Sequence, residues 1–208
     1  METLISALIA EGYLKTPAII DAFRSIDRED FLPPHHKHEA AEDRPLPIGY
    51  GQTNSQPLTV AIMFELLHPH PGDRVLDVGA GSGWTAALFA HIVGREGKVV
   101  AIERIPQLKR LAEQHLHNFG FQNITLLQGD GSRGVPRFGP YDCIHVAAGA
   151  KEVPGALKQQ LAIGGRLVIP VGEGNQTLHF LARIGEDEYL ERLTPGFMFV
   201  PLVEGAAV

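Results

Sequence analysis

Val75-Leu76-Asp77-Val78-Gly79-Ala80-Gly81-Ser82-Gly83-Trp84 decides the fold. A short apolar run stopped by glycines predicts a buried strand, and the apolar residues from Trp84 to Val93 predict a helix. A strand running through a glycine turn into a helix opens a βαβ unit. In an open α/β sheet such turns lie at the carboxyl ends of the strands, where ligands bind. Gly79, Gly81 and Gly83 suit that place, because a Cβ there would hold a ligand away from the backbone. A dinucleotide fingerprint asks for a small residue at its sixth position, which here is Trp84, so NAD and FAD are disfavoured.

Outward from this turn, strand and helix alternate. Strands are predicted at 99–102, 123–127, 141–147 and 166–170, and helices at 106–119 and 154–161. Alternation of this kind with right-handed crossovers predicts an α/β fold with a doubly wound, mainly parallel sheet and helices on both faces. Segments 177–184 and 189–193 alternate as antiparallel strands do, and 197–202 reads as a last extended piece. Upstream, 3–10 and 17–26 are amphipathic helices, the second with Thr16 as N-cap and Pro17 at its first position. From Phe31 to Pro57 the prolines and glycines forbid a long regular element, and a loop of this length is usually functional. Helical spacing returns at 58–67. The expected organisation is a single domain, 1–208, with N-terminal helices and a loop over 1–70 and a sheet core over 71–208.

Two acids follow the glycine turn at the ends of the next two strands. Glu103, about 20 residues on, has the spacing of a carboxylate that grips ribose hydroxyls. Asp130, in Gly129-Asp130-Gly131, is placed to accept from an exocyclic adenine amine. The chain has 208 residues, 44% of them hydrophobic and 20% charged, enough for a full core. Its net charge of −6 and lack of a basic run disfavour nucleic acid as a partner. The N-terminal apolar stretch is too short to span a membrane, and Cys143 is the lone cysteine. No membrane association and a cytoplasmic location are expected.

Gly-x-Gly-x-Gly with strand-end acids resembles the Rossmann-like class I methyltransferases. A narrower resemblance runs from about residue 16 to 202. Ile26-Asp27-Arg28-Glu29-Asp30-Phe31-Leu32-Pro33, Gly49-Tyr50-Gly51-Gln52-Thr53-Asn54-Ser55-Gln56-Pro57, Gly164-Gly165-Arg166-Leu167-Val168 and Phe199-Val200-Pro201-Leu202 are similar to segments of the protein-L-isoaspartate O-methyltransferases. Family resemblance implies S-adenosyl-L-methionine as cofactor, S-adenosyl-L-homocysteine as product, no metal, and damaged proteins carrying isoaspartyl residues as substrate. It implies Ser55 as the active-site residue beside the transferring methyl and the substrate carboxylate. The cofactor set becomes Gln52, Thr53, Asn54, Asp77, Gly79, Gly81, Ser82, Gly83, Glu103, Arg104, Asp130 and Gly131. Ser55 with Pro201, Leu202 and Val203 would receive the peptide. Asn54 and the stretch Ala148 to Lys151 depart from the family pattern. They keep open an alternative: a methyltransferase of the same fold acting on another peptide, a small molecule or RNA.

Ser55 has neither a Gly-x-Ser-x-Gly elbow nor a base nearby in sequence, so it does not read as a nucleophile. Its bland reading is an N-cap ahead of Pro57. His35, His36 and His38, and the pair His68 and His70, read as solvated residues rather than metal ligands. Cys143 reads as a small core residue.

Overall fold

The computed structural model describes residues 1–205. Six α-helices, α1 (Glu2–Ala10), α2 (Pro17–Ser25), α3 (Pro57–Leu67), α4 (Trp84–Val93), α5 (Pro106–Phe119) and α6 (Gly155–Gln159), surround the sheets among these residues. The strands are β1 (Leu46–Gly49), β2 (Gln52–Asn54), β3 (Arg74–Val78), β4 (Lys98–Glu103), β5 (Ile124–Gln128), β6 (Tyr141–Val146), β7 (Leu161–Val171), β8 (Gln176–Arg183) and β9 (Tyr189–Phe197). The large sheet has the order β5-β4-β3-β6-β7-β8-β9. Its first five strands are mutually parallel, and β8 and β9 join antiparallel as the late alternating segments predicted. Chain order reverses at β3, which pairs with β4 on one side and β6 on the other. A cleft therefore opens beyond the carboxyl ends of β3 and β6.

Period-two alternation splits the core. Val75, Val99, Ala101 and Cys143 pack against α1 to α5, while Leu76, Val78, Val100, Ile102, Ile144 and Val146 pack with Leu157 of α6 and with Val135. Helices cover both faces, but unequally: the second face has only the five-residue α6 and short 3-10 turns. Cys143 is fully buried, as expected for a core residue.

Three local expectations change. Thr16 occupies the N-cap position of α2 but makes no cap bond; its hydroxyl donates to Glu65 of α3 at 2.8 Å, and the same carboxylate accepts from the Lys15 and Thr16 amides. The predicted helix 154–161 is shorter, and β7 begins at Leu161 instead of 166. The strand survives Gly164-Gly165 because Gly164 takes φ +85°, while a Cβ on Gly165 would meet the Tyr141 carbonyl oxygen at 2.7 Å. The glycines accommodate a strand irregularity against β6 and do not end the strand. Finally, the proline-rich loop contains the hairpin β1–β2. Tyr50 and Gly51, at φ 55° and 70°, form its left-handed turn. Leu46 and Ile48 anchor it against Leu32, Ala40 and Leu108.

Candidate active site

A cavity of about 850 Å³, its open mouth included, occupies the cleft. It is walled by the β2 hairpin (Gln52 to Ser55), the glycine turn (Gly79 to Ser82), the end of β4 (Glu103, Arg104), Gly131 and the segment Val200 to Val203. Sequence-predicted residues thus converge on one place from five separated stretches. Asp77, Gly83 and Asp130 do not line it.

Each wall has a local cause. Gly79 and Gly81 adopt φ +83° and +54°, which lets the turn fold back over the ends of β3 and β4. The Gly81 amide donates to Glu103 Oε2 and the Ile105 amide to Oε1, each at 2.8 Å. Both carboxylate oxygens are thereby fixed, and each keeps capacity for a further donor. Glu103 is 6% exposed. Burial raises its pKa above the usual 4.5 against the lowering effect of those amides. At the wall formed by 199–203, the Gln176 side-chain amide pairs with both backbone groups of Phe199, at 2.8 and 3.2 Å. Gly149 pairs with Val200 and Leu202 at 2.8 and 2.7 Å. Segment 199–202 is therefore held against Gly149 by an isolated parallel bridge at Pro201, and Gly149 is required there because a Cβ would collide with Gln176.

Ser55 is half-buried and lines two spaces at once: the main cavity and an adjoining groove of Leu58, Ile62, Phe197, Met198 and Phe199. Its N-cap reading is not what the structure shows. The α3 N-cap is Gln56, without a side-chain cap bond, and the Leu58 amide is satisfied by Asp43 Oδ1 at 2.8 Å.

The three residues outside the cavity have physical reasons. Asp77 is fully buried; it takes the Thr85 hydroxyl at 2.8 Å on Oδ2, and Oδ1 lies 2.7 Å from His145 Nδ1. It sits directly beside His145 across the β3–β6 pairing, on the face covered by α3 and α4. It therefore stiffens the floor without reaching a ligand. Gly83 is buried as the N-cap of α4. Asp130 accepts from the Ser132 amide and hydroxyl and, through Oδ2, from the Gly205 amide at 2.8 Å. Burial pushes its pKa up, but these donors and Arg133 outweigh it and hold the carboxyl below its ordinary range. Arg104 Nε donates to the Gly205 carbonyl at 3.0 Å, so the C-terminal segment straps across the ends of β4 and β5.

Sequence reasoning missed Arg28, Thr85 and His145. Arg28 stands in the charged run Asp27 to Asp30 and reads as a surface residue, yet it is fully buried. Asn54, expected in the cofactor set, is 4% exposed and turns inward to Arg28 and Ser82. Trp84 is 2% exposed, packed edge-on to Phe23, and supplies bulk where a dinucleotide site would need a small residue. Among the described residues no group of three or more His, Cys, Asp and Glu is gathered to hold a metal, and no helix is long and apolar enough to cross a membrane.

A doubly wound sheet with antiparallel β8 and β9, a Gly-x-Gly-x-Gly turn and a strand-end glutamate at the switch point defines a Rossmann-like class I methyltransferase. Residues 1–207 match the family profile described as protein-L-isoaspartate(D-aspartate) O-methyltransferase. An Ignicoccus hospitalis protein named protein-L-isoaspartate O-methyltransferase is 49% identical over 203 residues, covering 97% of this chain and 96% of the relative. A solved structure of that same name superposes with TM-score 0.86 at 30% identity, covering 96% of this chain and 65% of that one. A Plasmodium falciparum structure described with S-adenosyl-L-homocysteine reaches TM-score 0.85 at 23% identity, a likeness of fold. The chain belongs to the protein-L-isoaspartate O-methyltransferase family.

Proposed function

We propose that this protein transfers a methyl group from S-adenosyl-L-methionine to the α-carboxylate of L-isoaspartyl residues in damaged proteins. The near full-length identity to relatives of that name supports the reaction. The observation that carries the reading into the structure is Ser55, set between the cavity at the glycine turn and the apolar groove.

The cavity fits the cofactor on its own geometry: a glycine turn without Cβ atoms for close approach, and a carboxylate already oriented by two amides. Glu103 would hold the ribose hydroxyls, and Gly79 to Ser82 the remainder, with Gln52 to Asn54 closing one side. When bound, the cofactor supplies an electrophilic methyl on a sulfonium. The protein's part is alignment and exclusion of water, which can lower a barrier by several kcal/mol. A substrate carboxylate, with an ordinary pKa near ~4, is already an ionised nucleophile and needs no base. The Ser55 hydroxyl donates to that carboxylate and turns it toward the methyl. Val200 C=O and Leu202 N–H are occupied by Gly149. By strand alternation Pro201 C=O and Val203 N–H point the other way, where an extended peptide can add as a short strand. Residence in the cytoplasm belongs to this reading, supported by the single buried free cysteine.

Transfer of labelled methyl to an isoaspartyl peptide and its ordinary aspartyl twin tests the proposal. Labelling of the first alone is expected. Labelling of neither, with S-adenosyl-L-homocysteine still bound, would move the assignment to another substrate.

A further inference from the structure

Arg28 is a fully buried cation that, among the described residues, forms no ion pair. Its five N–H groups instead reach six oxygens on both sides of the β1–β2 hairpin, with one Nη2 hydrogen shared between two carbonyls. Before the hairpin it reaches the carbonyls of Ala40, Glu42 and Arg44 at 3.3, 3.0 and 2.8 Å. After it, it reaches the carbonyls of Asn54 and Ser55 at 3.2 and 3.0 Å, and Nε donates to Asn54 Oδ1 at 2.8 Å. Burial lowers its pKa to about 10, so it is charged at neutral pH. A carboxylate would satisfy such a charge at one point. Backbone oxygens spread over residues 40–55 make the charge close the base of a loop whose own strands are only four and three residues long. The planar fork of arginine is what allows this; a lysine ammonium offers three donors from one point.

A second connection leads out of the hairpin. The Asn54 side chain accepts from Arg28 and, through Nδ2, donates to Ser82 Oγ at 3.2 Å. Ser82 is on the glycine turn, and Asn54 and Ser82 both line the cavity. Because its oxygen accepts from Asn54, the Ser82 hydroxyl hydrogen is free to turn toward a ligand. The Trp84 ring lies under the guanidinium at 5.6 Å, so the helix leaving the glycine turn supports the same charge.

We infer that Arg28 and Asn54 are positioning residues that tie the Ser55 hairpin to the glycine turn, so that filling the cofactor cavity at Ser82 fixes Ser55 for the substrate carboxylate. The catalytic half of this inference rests on the proposed methyl transfer; the tie itself does not. Neither residue has to touch the substrate. Among the described residues, side-chain hydrogen bonds pass from Arg28 to Ser82 through Asn54.

The test uses the full chain, with S-adenosyl-L-homocysteine as probe, in wild type, Asn54→Ala and Arg28→Lys. Amide hydrogen exchange over residues 44–55 is measured with and without the probe, beside kcat and KM for an isoaspartyl peptide. In wild type the probe slows hairpin exchange. In Asn54→Ala at saturating probe, the added protection of 44–55 disappears, and kcat falls about tenfold with little change in KM, the scale of one hydrogen bond lost. Arg28→Lys moves the same way and further; should it fail to fold, Asn54→Ala decides alone. A merely structural role would lower the melting temperature but leave probe-dependent protection intact. Equal protection in wild type and Asn54→Ala, no protection in either, or kcat within twofold of wild type overturns the inference. Should wild type methylate no isoaspartyl peptide, the functional reading fails while the exchange arm still decides whether the tie exists.

Discussion

Replacing Glu103 by alanine isolates the residue that most directly prepares the cavity for a nucleoside. Its two oxygens are oriented by the Gly81 and Ile105 amides at 2.8 Å each, and the side chain is 6% exposed. A hydroxyl bonded to this carboxylate forms a charge-assisted bond worth about 1.5–3 kcal/mol, so affinity for S-adenosyl-L-homocysteine should fall by one to two decades. The two freed amides belong to partly exposed residues that water can reach, so the accompanying stability loss should sit near the low end of roughly 1–3 kcal/mol. A pH dependence follows with a definite sign. Burial raises the Glu103 pKa above 4.5, so without ligand its stability contribution is complete below 4.5 and is lost as pH rises through the higher native value. Bonding to hydroxyl donors favours the ionised form. Affinity should therefore weaken on acidification, beginning above 4.5, and Glu103→Gln should flatten that profile. Titration calorimetry from neutral to mildly acidic pH checks both. Wild-type affinity in Glu103→Ala, or a profile that breaks only below 4.5, would refute this account of the cavity.

Other expectations concern the chemistry around it. Ser55→Ala removes one donor to a charged group and should lower kcat by about one to two decades, with melting temperature and cofactor affinity nearly unchanged; a stability loss without a catalytic one contradicts the assigned role. Methyl transfer should survive chelator treatment, because the nucleophile is already ionised; activity lost to chelator and restored by zinc or magnesium would count against the mechanism. Burial pushes the Cys143 thiol well up, so iodoacetamide should label the native protein far more slowly than the denatured one, a difference read by mass spectrometry.

The sheet was legible because buried parallel strands announce themselves. Arg74 to Val78 and Tyr141 to Val146 are mainly apolar stretches followed by glycines or small residues, and β8 and β9 keep enough alternation to show their antiparallel place. The β1–β2 hairpin was not legible, since four and three residues with a proline among them carry no measurable period. Its turn was hinted by Gly49-Tyr50-Gly51, and its anchoring by Leu46 and Ile48 depends on α5, a long way along the chain. Arg28 was hidden for a related reason. Every oxygen it holds lies 12 to 27 residues away, and nothing local to Asp27-Arg28-Glu29-Asp30 distinguishes it from a solvated charge.

The three strand-end acids show where position and function part. Glu103, Asp77 and Asp130 all follow or end strands around the switch point, and spacing alone treats them alike. Register and alternation put the first two on one face, and depth along the strand separates them. Asp77 shares its face with Val75, beneath α3 and α4, and that face forces a buried carboxylate to find a partner inside the core; His145 in the adjacent register and Thr85 in the first turn of α4 supply it. The period-two rule applied to an acid inside an apolar run would have found this pair from sequence. Glu103 ends β4 at the cleft, so its carboxylate meets backbone amides and the cavity. Asp130 is separated by something no local rule contains: the chain returns 75 residues later and places the Gly205 amide on its Oδ2. An adenine amine can use that acid only by sharing it with, or displacing, the C-terminal strap that Arg104 holds by its other end. On the proposed reading, Glu103 prepares the ribose side of the nucleoside site, while the segment at Gly205 already occupies the acid on the adenine side.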